Sequence, residues 1–204
     1  MYIFATTNPG KMREIAAIFG ESGLTVASLP DMGADWEIKE DGATFTENAV
    51  KKAAGCAERL RELNQLPAEA AVLADDSGLV IDALDGQPGV YSARFLGADT
   101  PYVQKNKLIL DRLSGVPDDK RTARFVCAIA CVLPDNRLLT TEGVLEGYIA
   151  RAPKGTNGFG YDPIFYVPEY GLTSAELSPE VKNKCSHRGR ALRALLKALT
   201  NQPA

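Results

Sequence analysis

The sequence predicts a mixed α/β fold, with one mixed β-sheet flanked by helices, because it combines two kinds of hydrophobic pattern. Short unbroken apolar runs, the longest of which is Phe125 to Leu133, predict buried strands. Other stretches carry apolar residues at i, i+3, i+4 and i+7, which predicts amphipathic helices; the first such face is Met12, Ile15, Ala16 and Phe19. With 204 residues, 45% of them hydrophobic, the chain can bury a sizeable core. No linker or repeat interrupts it, and we expect a single domain over residues 1–204.

The N-terminal segment predicts a strand, a tight loop and a helix. Residues 1–5 are apolar, and TTNPGK follows them. Asn8 is a favourable N-cap, and Pro9 suits the first helical position. A helix N-terminus offers free N–H groups and a positive dipole end, which suit phosphate. Lys11 opposes that dipole unless an anion compensates it, so the segment is either a phosphate site or a capped helix with a solvated lysine.

A second helix is predicted to begin near Thr44, with an inward face of Ala49, Ala53, Cys56, Leu60 and Leu63. An acidic cluster, Glu37, Glu40 and Asp41, comes just before it. Glu47 suits either a capping box with Thr44 or a metal site. Lys51 and Lys52 follow one turn later, on a face that is either solvated or part of a site.

The segment AAVLADDSG predicts a buried strand that ends in Asp75 and Asp76, with Leu79 to Ile81 as a separate apolar piece. Because side chains alternate along a strand, we expect only one of the two carboxylates to face any given site. Acids at strand ends commonly hold Mg²⁺ through oxygen ligands, although turn formation before Gly78 is the alternative.

The second half of the chain predicts two long neighbouring strands between helices. Residues 101–113 predict a helix whose inward face is Val103, Leu110 and Leu113. Thr122 to Leu133 predicts a central strand, and Arg137 to Ile149 its neighbour, with bulges at Gly143 and Gly147. Helix starts are predicted at Ser178 and Ser186, the second with an apolar face of Leu192, Leu195, Leu196 and Leu199.

Two further segments have the composition of ligand sites. GTNGFGYDP carries glycines that permit close backbone approach, and the aromatic side chains of Phe159 and Tyr161 could stack on a base, although a structural hairpin would also explain the glycines. In KNKCSHRGR, His187 and Arg188 project from the first turn of a helix, where cations oppose the dipole. That placement argues for an acceptor-rich ligand such as a phosphate or the 6-oxo edge of a purine, with local capping by His187 as the alternative.

Composition and charge exclude several classes of function. The net charge is −3, whereas long polyanions require a strongly basic surface, so we expect no nucleic-acid partner. The apolar runs are far shorter than the about 20 residues that a bilayer requires, and the start MYIFA lacks the basic residues of a signal peptide, so we expect no membrane partner and a cytoplasmic location. Neither serine nor cysteine has a recognisable His–acid partner set, which argues against covalent catalysis.

The cysteines predict reduced, mostly buried thiols. Four cysteines occur without any CxxC motif. Cys127 and Cys131 fall on one face of a predicted strand about 13 Å apart, too far for a disulfide, which needs Cα atoms within about 7 Å. With only one histidine in the chain, zinc is not expected either.

Taken in order, these segments resemble the noncanonical purine nucleoside triphosphate pyrophosphatases, the inosine triphosphate pyrophosphatase-like family. The matching motifs are ATTNPGK, EDGATFTENAVKKA, LADDSGL, GQPGVYSARF, GTNGFGYDPIF and SHRGRAL. The resemblance implies an elongated mixed sheet forming two lobes, with the nucleotide in a central cleft. It also implies a Mg²⁺-dependent homodimer that cleaves ITP, dITP or XTP to the monophosphate and pyrophosphate and so cleanses the nucleotide pool.

The resemblance also assigns roles to residues. The TTNPGK segment and Lys52 would hold the phosphates, Ser77 would contact substrate, and the GFGYD segment would hold the base, with Phe159 stacking on it and Asp162 lining its pocket. Lys182, His187 and Arg188 would read the base, accepting a 6-oxo purine and rejecting the 6-amino group of ATP. The implied substrate-binding residues are Thr6, Thr7, Asn8, Pro9, Gly10, Lys11, Lys52, Ser77, Phe159, Gly160, Tyr161, Asp162, Lys182, His187 and Arg188.

The metal ligands implied by the resemblance include one departure. Asp76 and Asp75 match the catalytic acids, and Asp76 is the implied metal ligand. Many family members have an acid where this chain has Lys39, so Glu40, or with less support Glu47, would supply the second ligand. Two alternatives stay open: a Maf-like pyrophosphatase for pyrimidine or modified triphosphates, and a catalytically silent nucleotide sensor, which Lys39 would favour.

Overall fold

The computed structural model describes residues 1–34, 36 and 38–200, and within them it contains a seven-stranded mixed sheet and five α-helices. The strands are β1 (Tyr2–Phe4), β2 (Val26–Ser28), β3 (Ala71–Ile81), β4 (Thr122–Val132), β5 (Leu138–Ile149), β6 (Phe165–Val167) and β7 (Leu172–Thr173). The helices are α1 (Pro9–Glu21), α2 (Phe45–Glu62), α3 (Tyr102–Arg112), α4 (Pro179–Cys185) and α5 (His187–Thr200). The predicted mixed α/β fold is confirmed.

The sheet has the strand order β2-β1-β3-β4-β5-β6-β7. At one end, β1 pairs in parallel with β2 and with β3, and Ile3 lies opposite both Ala27 and Val72. Because parallel neighbours need a crossover, α1 makes the connection from β1 to β2. At the other end the strands are antiparallel, with Tyr148 opposite Tyr166 and Tyr166 opposite Thr173.

The chain divides into two compact units. The first comprises residues 1–76, 127–143 and His187 onward, and the second comprises residues 77–126 and 144–186. Strands β3, β4 and β5 each contribute residues to both units. Each unit has a hydrophobic core of its own.

In the first unit, both faces of the sheet are covered. One core joins α2 to the face of β3 that carries Val72 and Ala74. Another core joins α1 and α5, which pack against each other, to the opposite face, which carries Leu73. Since consecutive residues of β3 point to opposite faces, this arrangement explains why the strand is an unbroken apolar run.

In the second unit, the core lies between α3 and the strand segments that carry Leu79, Phe125 and Phe165. The rings of Phe125 and Phe165 have centroids 4.3 Å apart. The buried Arg121 guanidinium donates to the carbonyls of Leu113, Ile149 and Ala150, which links the end of α3 to β5.

Most predicted elements are confirmed, but β3 differs. It is one continuous strand from Ala71 to Ile81, so Asp75 and Asp76 lie within it and not at its end. The prediction of two separate apolar pieces is wrong because the backbone pairing continues through both carboxylates. Their side chains are buried instead of marking a turn.

Three predicted helix faces need correction. On α3, Val103 is 80% exposed, whereas Lys105, Asn106 and Ile109 are buried. On α1, Ala16 is exposed and Ile18 is buried in its place. Leu63 caps the C-terminus of α2 and is exposed. On α3, polar side chains take the buried positions because their heads find partners or aromatic neighbours there, as Lys105 does with the Ala93 carbonyl.

The glycines predicted as bulges on β5 serve close packing. A Cβ on Gly143 would lie 2.2 Å from the His187 carbonyl oxygen, and one on Gly147 would lie 2.4 Å from the Tyr166 carbonyl oxygen. A side chain at either position would therefore displace a neighbouring backbone.

The prediction of reduced, buried thiols is confirmed. All four cysteines, which lie within the described part of the chain, are buried and unbridged. Burial raises the pKa of Cys56 and of Cys131 to about 12, so both thiols stay protonated. In the described residues, a search for helices with the length and hydropathy to cross a bilayer finds none.

Candidate active site

The loop before α1 is ordered by its own polar side chains. The Asn8 carboxamide oxygen accepts from the backbone N–H groups of Gly10 (2.8 Å) and Lys11 (3.1 Å), which confirms it as the N-cap. The buried Thr6 hydroxyl accepts from the N–H of Asn8 at 3.2 Å. Thr7 and Pro9 are exposed, so this helix N-terminus reaches the surface of the first unit.

Asp75 lies at the centre of a buried ionic cluster. Its carboxylate is fully buried and accepts from Lys11 Nζ at 2.9 Å and from Arg188 Nε and Nη2 at 3.2 and 3.1 Å. Arg188 also forms an ion pair with Glu14 of α1. Burial by itself raises the pKa of Asp75, but the charges of Lys11, Arg188 and Lys52 outweigh it and hold that pKa below its usual range. Asp75 is therefore an ionised anchor for two cations.

Asp76 lies on the opposite face of β3, against α2. Its Oδ2 accepts from the Asn48 carboxamide at 2.9 Å. Burial raises the pKa of Asp76 and the negative charge of Glu40 raises it further, while the hydrogen bond from Asn48 acts in the opposite direction. The net result is a pKa above the ordinary value. Two adjacent carboxylates thus differ in sign of shift, a pattern that often separates an acid–base group from an electrostatic one.

One face of α2 grips the acidic loop that precedes it. Lys52 forms an ion pair with Glu40, and its Nζ also donates to the Asp75 backbone carbonyl at 2.7 Å. Burial lowers the pKa of Lys52, but the charges of Asp75 and Glu40 raise it by more, so the ammonium stays charged.

The next two residues of the loop are held by the same helical face. Lys51 pairs with Asp41 at 2.7 Å, and the N–H of Gly42 donates to Asn48 Oδ1 at 2.7 Å. Asn48, Lys51 and Lys52 are spaced i, i+3 and i+4, so they share one side of the helix. Glu37, the third acid of the predicted cluster, lies outside the described residues.

Glu47 is occupied at the start of α2. It is exposed, its carboxylate accepts from the N–H of Ala43 at 2.7 Å, and its own N–H donates to the Thr44 hydroxyl at 3.1 Å. The capping alternative for Glu47 is thereby supported. Across the described residues, no group of three or more His, Cys, Asp or Glu side chains is placed to hold a metal ion. Asp76 and Glu40 remain as a pair of neighbouring oxygen donors.

In the second unit, Asp162 organises the glycine-dense loop. Its carboxylate is buried and accepts from the N–H of Phe159 (2.8 Å), from the Ser174 hydroxyl (2.9 Å) and from Lys182 Nζ (2.6 Å). Lys182 Nζ also lies 5.1 Å from the centroid of the Phe159 ring. The loop, α4 and the turn at Ser174 are therefore joined through one carboxylate.

The glycines of this loop are explained by its own packing. Gly158 has φ +73°, and a Cβ there would lie 2.2 Å from Asp162 Oδ2. Gly155 has φ +77°, and a Cβ there would lie 2.3 Å from the Ala175 carbonyl carbon. Both positions need a left-handed backbone and no side chain.

The two aromatic residues of the loop differ in their surroundings. The Phe159 ring is half-buried. Tyr161 is part of the core, and its hydroxyl donates to the Ser92 carbonyl at 2.7 Å. The Gly160 carbonyl accepts from the Asn106 carboxamide at 3.2 Å. Phe159 is therefore the one of these two rings that is placed to meet a ligand.

The SHR segment begins α5. His187 and Arg188 are its first two residues, and both are buried. The association of Arg188 with Asp75 and Glu14 was not predicted, because no local pattern connects a C-terminal helix with α1. Ser77, next to Asp76 in β3, is half-buried.

Two residues of these clusters, Asn48 and Glu14, were missed by the sequence analysis. Asn48 is four residues before Lys52, and Glu14 is three residues after Lys11. Residues three or four apart share a helical face, so each could have been found by extending a predicted site along its helix.

Comparison with known proteins agrees with this geometry. A model of the Ham1 family matches residues 2–198. The chain is 52% identical over 195 residues to a dITP/XTP pyrophosphatase from Geobacter sulfurreducens, an alignment that covers 96% of this chain and 94% of the relative. It is 49% identical over 193 residues to a dITP/XTP pyrophosphatase from Geobacillus kaustophilus, with 95% and 91% covered.

Solved structures show the same similarity. A HAM1 protein from Coxiella burnetii superposes with a TM-score of 0.84 at 38% identity, over 98% of each chain. A nucleoside-triphosphatase (dITP/XTP pyrophosphatase) from Mycobacterium abscessus gives a TM-score of 0.69 at 44% identity, over 96% of this chain and 99% of that one. The chain therefore belongs to the Ham1 family.

Proposed function

We propose that this protein hydrolyses deaminated purine nucleoside triphosphates, ITP, dITP and XTP, to the monophosphate and pyrophosphate. The observation that carries the proposal is the adjacent pair Asp75 and Asp76, one held ionised among cations and the other with a raised pKa beside Glu40. The names of the curated relatives favour the same reaction over a Maf-like one.

The phosphate chain would be neutralised by groups of the first unit. Lys11 lies in the first turn of α1, whose exposed N-terminus supplies N–H groups and a positive dipole end. Lys52 is the second cation, and its contact with the Asp75 carbonyl fixes its position beside β3. Two lysines and a helix terminus provide the positive field that phosphoryl transfer requires.

A divalent cation, which we propose to be Mg²⁺, fits the donors present. Asp76 and Glu40 are carboxylates close enough for the charge of one to raise the pKa of the other. Mg²⁺ commonly binds through one or two carboxylates and completes its shell with substrate phosphates and water, so a site of two acids suits it. When bound, the ion would neutralise charge that develops on the phosphates.

Asp76 is the carboxylate placed to take the proton of the attacking water. Water adds to the α-phosphorus, the bond to the bridging oxygen breaks, and the proton of the water passes to a base. A carboxylate with a raised pKa is a better proton acceptor than one with a lowered pKa. We therefore assign the base to Asp76 and the electrostatic anchor to Asp75.

Base recognition would come from Phe159, Lys182 and His187. Phe159 would stack on the purine, and the Lys182 ammonium, anchored on Asp162, would donate to a 6-oxo group. The 6-amino group of ATP would meet a donor, and such mismatches can cost around 10⁴-fold in specificity. Arg188 would contribute indirectly, because its bonds to Asp75 and Glu14 fix the first turn of α5 beside His187.

We further propose that the whole chain acts as one pyrophosphatase domain, forms a homodimer and works in the cytoplasm. The family match spans both units. Buried, unbridged cysteines suit a reducing compartment. Four exposed large hydrophobic side chains fall within residues 91–103, which makes this segment the candidate dimer surface: Tyr91, Leu96, Tyr102 and Val103.

The decisive experiment is product analysis. ITP, XTP, dITP, ATP, GTP and a pyrimidine triphosphate are incubated with the protein at slightly alkaline pH, with and without Mg²⁺. We expect pyrophosphate from ITP, dITP and XTP, little from ATP or GTP, and none without metal. Orthophosphate release or a pyrimidine preference would contradict the proposal, and tight ITP binding without turnover would favour a nucleotide sensor.

A further inference from the structure

The Asn48 side chain bridges the two parts of the candidate metal site. It is fully buried. Its Nδ2 donates to Asp76 Oδ2 at 2.9 Å, and its Oδ1 accepts from the N–H of Gly42 at 2.7 Å. One carboxamide therefore connects β3 to the loop that carries Glu40.

The orientation of this carboxamide is dictated by its neighbours. A backbone N–H can only donate, so the atom that faces Gly42 must be the oxygen. The NH₂ group is then directed to Asp76, where an ionised carboxylate can only accept. Aspartate or leucine, the residues nearest in size, would lack one or both of these complementary bonds.

The bridge also requires the glycine at position 42. A Cβ on Gly42 would lie 2.7 Å from Asn48 Oδ1 and 2.8 Å from the Glu47 Cβ. The loop backbone thus approaches α2 more closely than a side chain allows. This close approach brings Glu40 to Lys52, one turn further along the same helical face.

We propose that Asn48 is a positioning residue for metal binding: it fixes the rotation of the Asp76 carboxylate and holds the Glu40 loop against α2. The inference rests on the proposed function, since it assumes that Asp76 and Glu40 hold the cation. Partners that orient metal ligands typically contribute about 10–100-fold to metal affinity or activity.

The first test uses Asn48→Ala, with Cys56→Ala as a matched control. Cys56 packs into the same core from the same helix, so its truncation loosens α2 without removing a contact to Asp76. Turnover of ITP is measured together with Mn²⁺ binding, followed by the electron paramagnetic resonance of free Mn²⁺ in the presence of an α,β-methylene analogue of ITP.

We expect Asn48→Ala to lower kcat by about 10–100-fold and to weaken Mn²⁺ binding by at least about tenfold, with KM for ITP within about threefold of the parent. Cys56→Ala should leave both close to the parent values. Equal losses in the two variants would show a merely structural role and would overturn the proposal. Parental Mn²⁺ affinity in Asn48→Ala would also overturn it.

A second variant, Asn48→Asp, keeps the test decisive if alanine prevents folding. It retains the acceptor for Gly42 but replaces the donor to Asp76 with an oxygen, so at slightly alkaline pH kcat should fall at least about tenfold. Parental kcat in Asn48→Asp would refute the positioning role while leaving the proposed function intact. If the parent itself releases no pyrophosphate from ITP, the proposed function fails, and the Mn²⁺ titration still judges the bridge.

Discussion

Asp75 and Asp76 are neighbours in one strand, yet the two faces of the sheet give them opposite chemistry. On one face, Lys11 and Arg188 hold Asp75 ionised. On the other face, Asp76 has one carboxamide donor and a nearby like charge, Glu40, and its pKa is raised. The cations around Asp75 favour its ionised form in the folded state, whereas the surroundings of Asp76 penalise ionisation. The comparison teaches that the cluster around Asp75 stabilises the fold, while the cluster around Asp76 stores the unfavourable charge that a cation would relieve.

The sharpest way to break the comparison is Asp76→Asn. We expect kcat for ITP to fall by about 10³-fold, because the proposed proton acceptor and metal ligand is lost. The metal-free variant should unfold at a higher temperature than the parent at neutral pH, by about 2–4 °C per kcal/mol gained, since a carboxyl with a raised pKa destabilises the folded state once it ionises. Turnover within a few-fold of the parent, or a lower unfolding temperature, would contradict this assignment.

Asp75→Asn should have the opposite effect on stability. It leaves Lys11 and Arg188 without their shared counter-charge, and removing one partner of a buried ionic cluster costs about 3–5 kcal/mol. Urea unfolding measures the loss, and Asp41→Asn, which removes an exposed acid, is the control and should change little.

The pH dependence of that loss follows from the direction of the pKa shift. The folded-state pKa of Asp75 lies below the unfolded value of 3.8. Its stabilisation is therefore complete above that value and disappears as pH falls through the folded-state pKa. The difference between parent and Asp75→Asn should shrink on acidification, and a constant difference down to low pH would argue against an ionic role.

Lys182→Met tests base recognition in the second unit. We expect kcat/KM for ITP to fall by about 10–100-fold with little change for ATP, because the donor to the 6-oxo group is removed. Lys184→Met, at an exposed position of the same helix, is the matched control. Equal losses for ITP and ATP would assign Lys182 to holding Asp162 alone.

The smallest effect is expected for Lys39→Glu. Lys39 is 85% exposed and pairs with Asp41 at 3.2 Å, and such surface pairs contribute little. Turnover of ITP and its Mg²⁺ dependence should stay within about threefold of the parent. A large gain in turnover would mean that the lysine at this position suppresses catalysis, as the sensor alternative requires.

The local parts of the fold were predictable because they depend on neighbours in sequence. Asn8 and Thr44 act as N-caps where the sequence predicts them, and Ser178 does so for α4. The alternation along AAVLADDSG correctly separates Asp75 from Asp76 onto opposite faces. The face of α3 was not predictable, because Lys105 and Asn106 are buried through distant partners, the carbonyls of Ala93 and Gly160.

By itself the sequence determined the mixed α/β class, the phosphate-type helix start, the acidic pair and the resemblance to a nucleotide pyrophosphatase family, all of which rest on residue type and short spacing. Only the tertiary structure decided that Arg188 joins Glu14 and Asp75, 174 and 113 positions away, and that Asn48 rather than Glu47 reaches Asp76. Such pairings arise when helices pack on opposite faces of one strand. The sign of each carboxylate's pKa shift depends on those packed neighbours, so no local pattern could have assigned it.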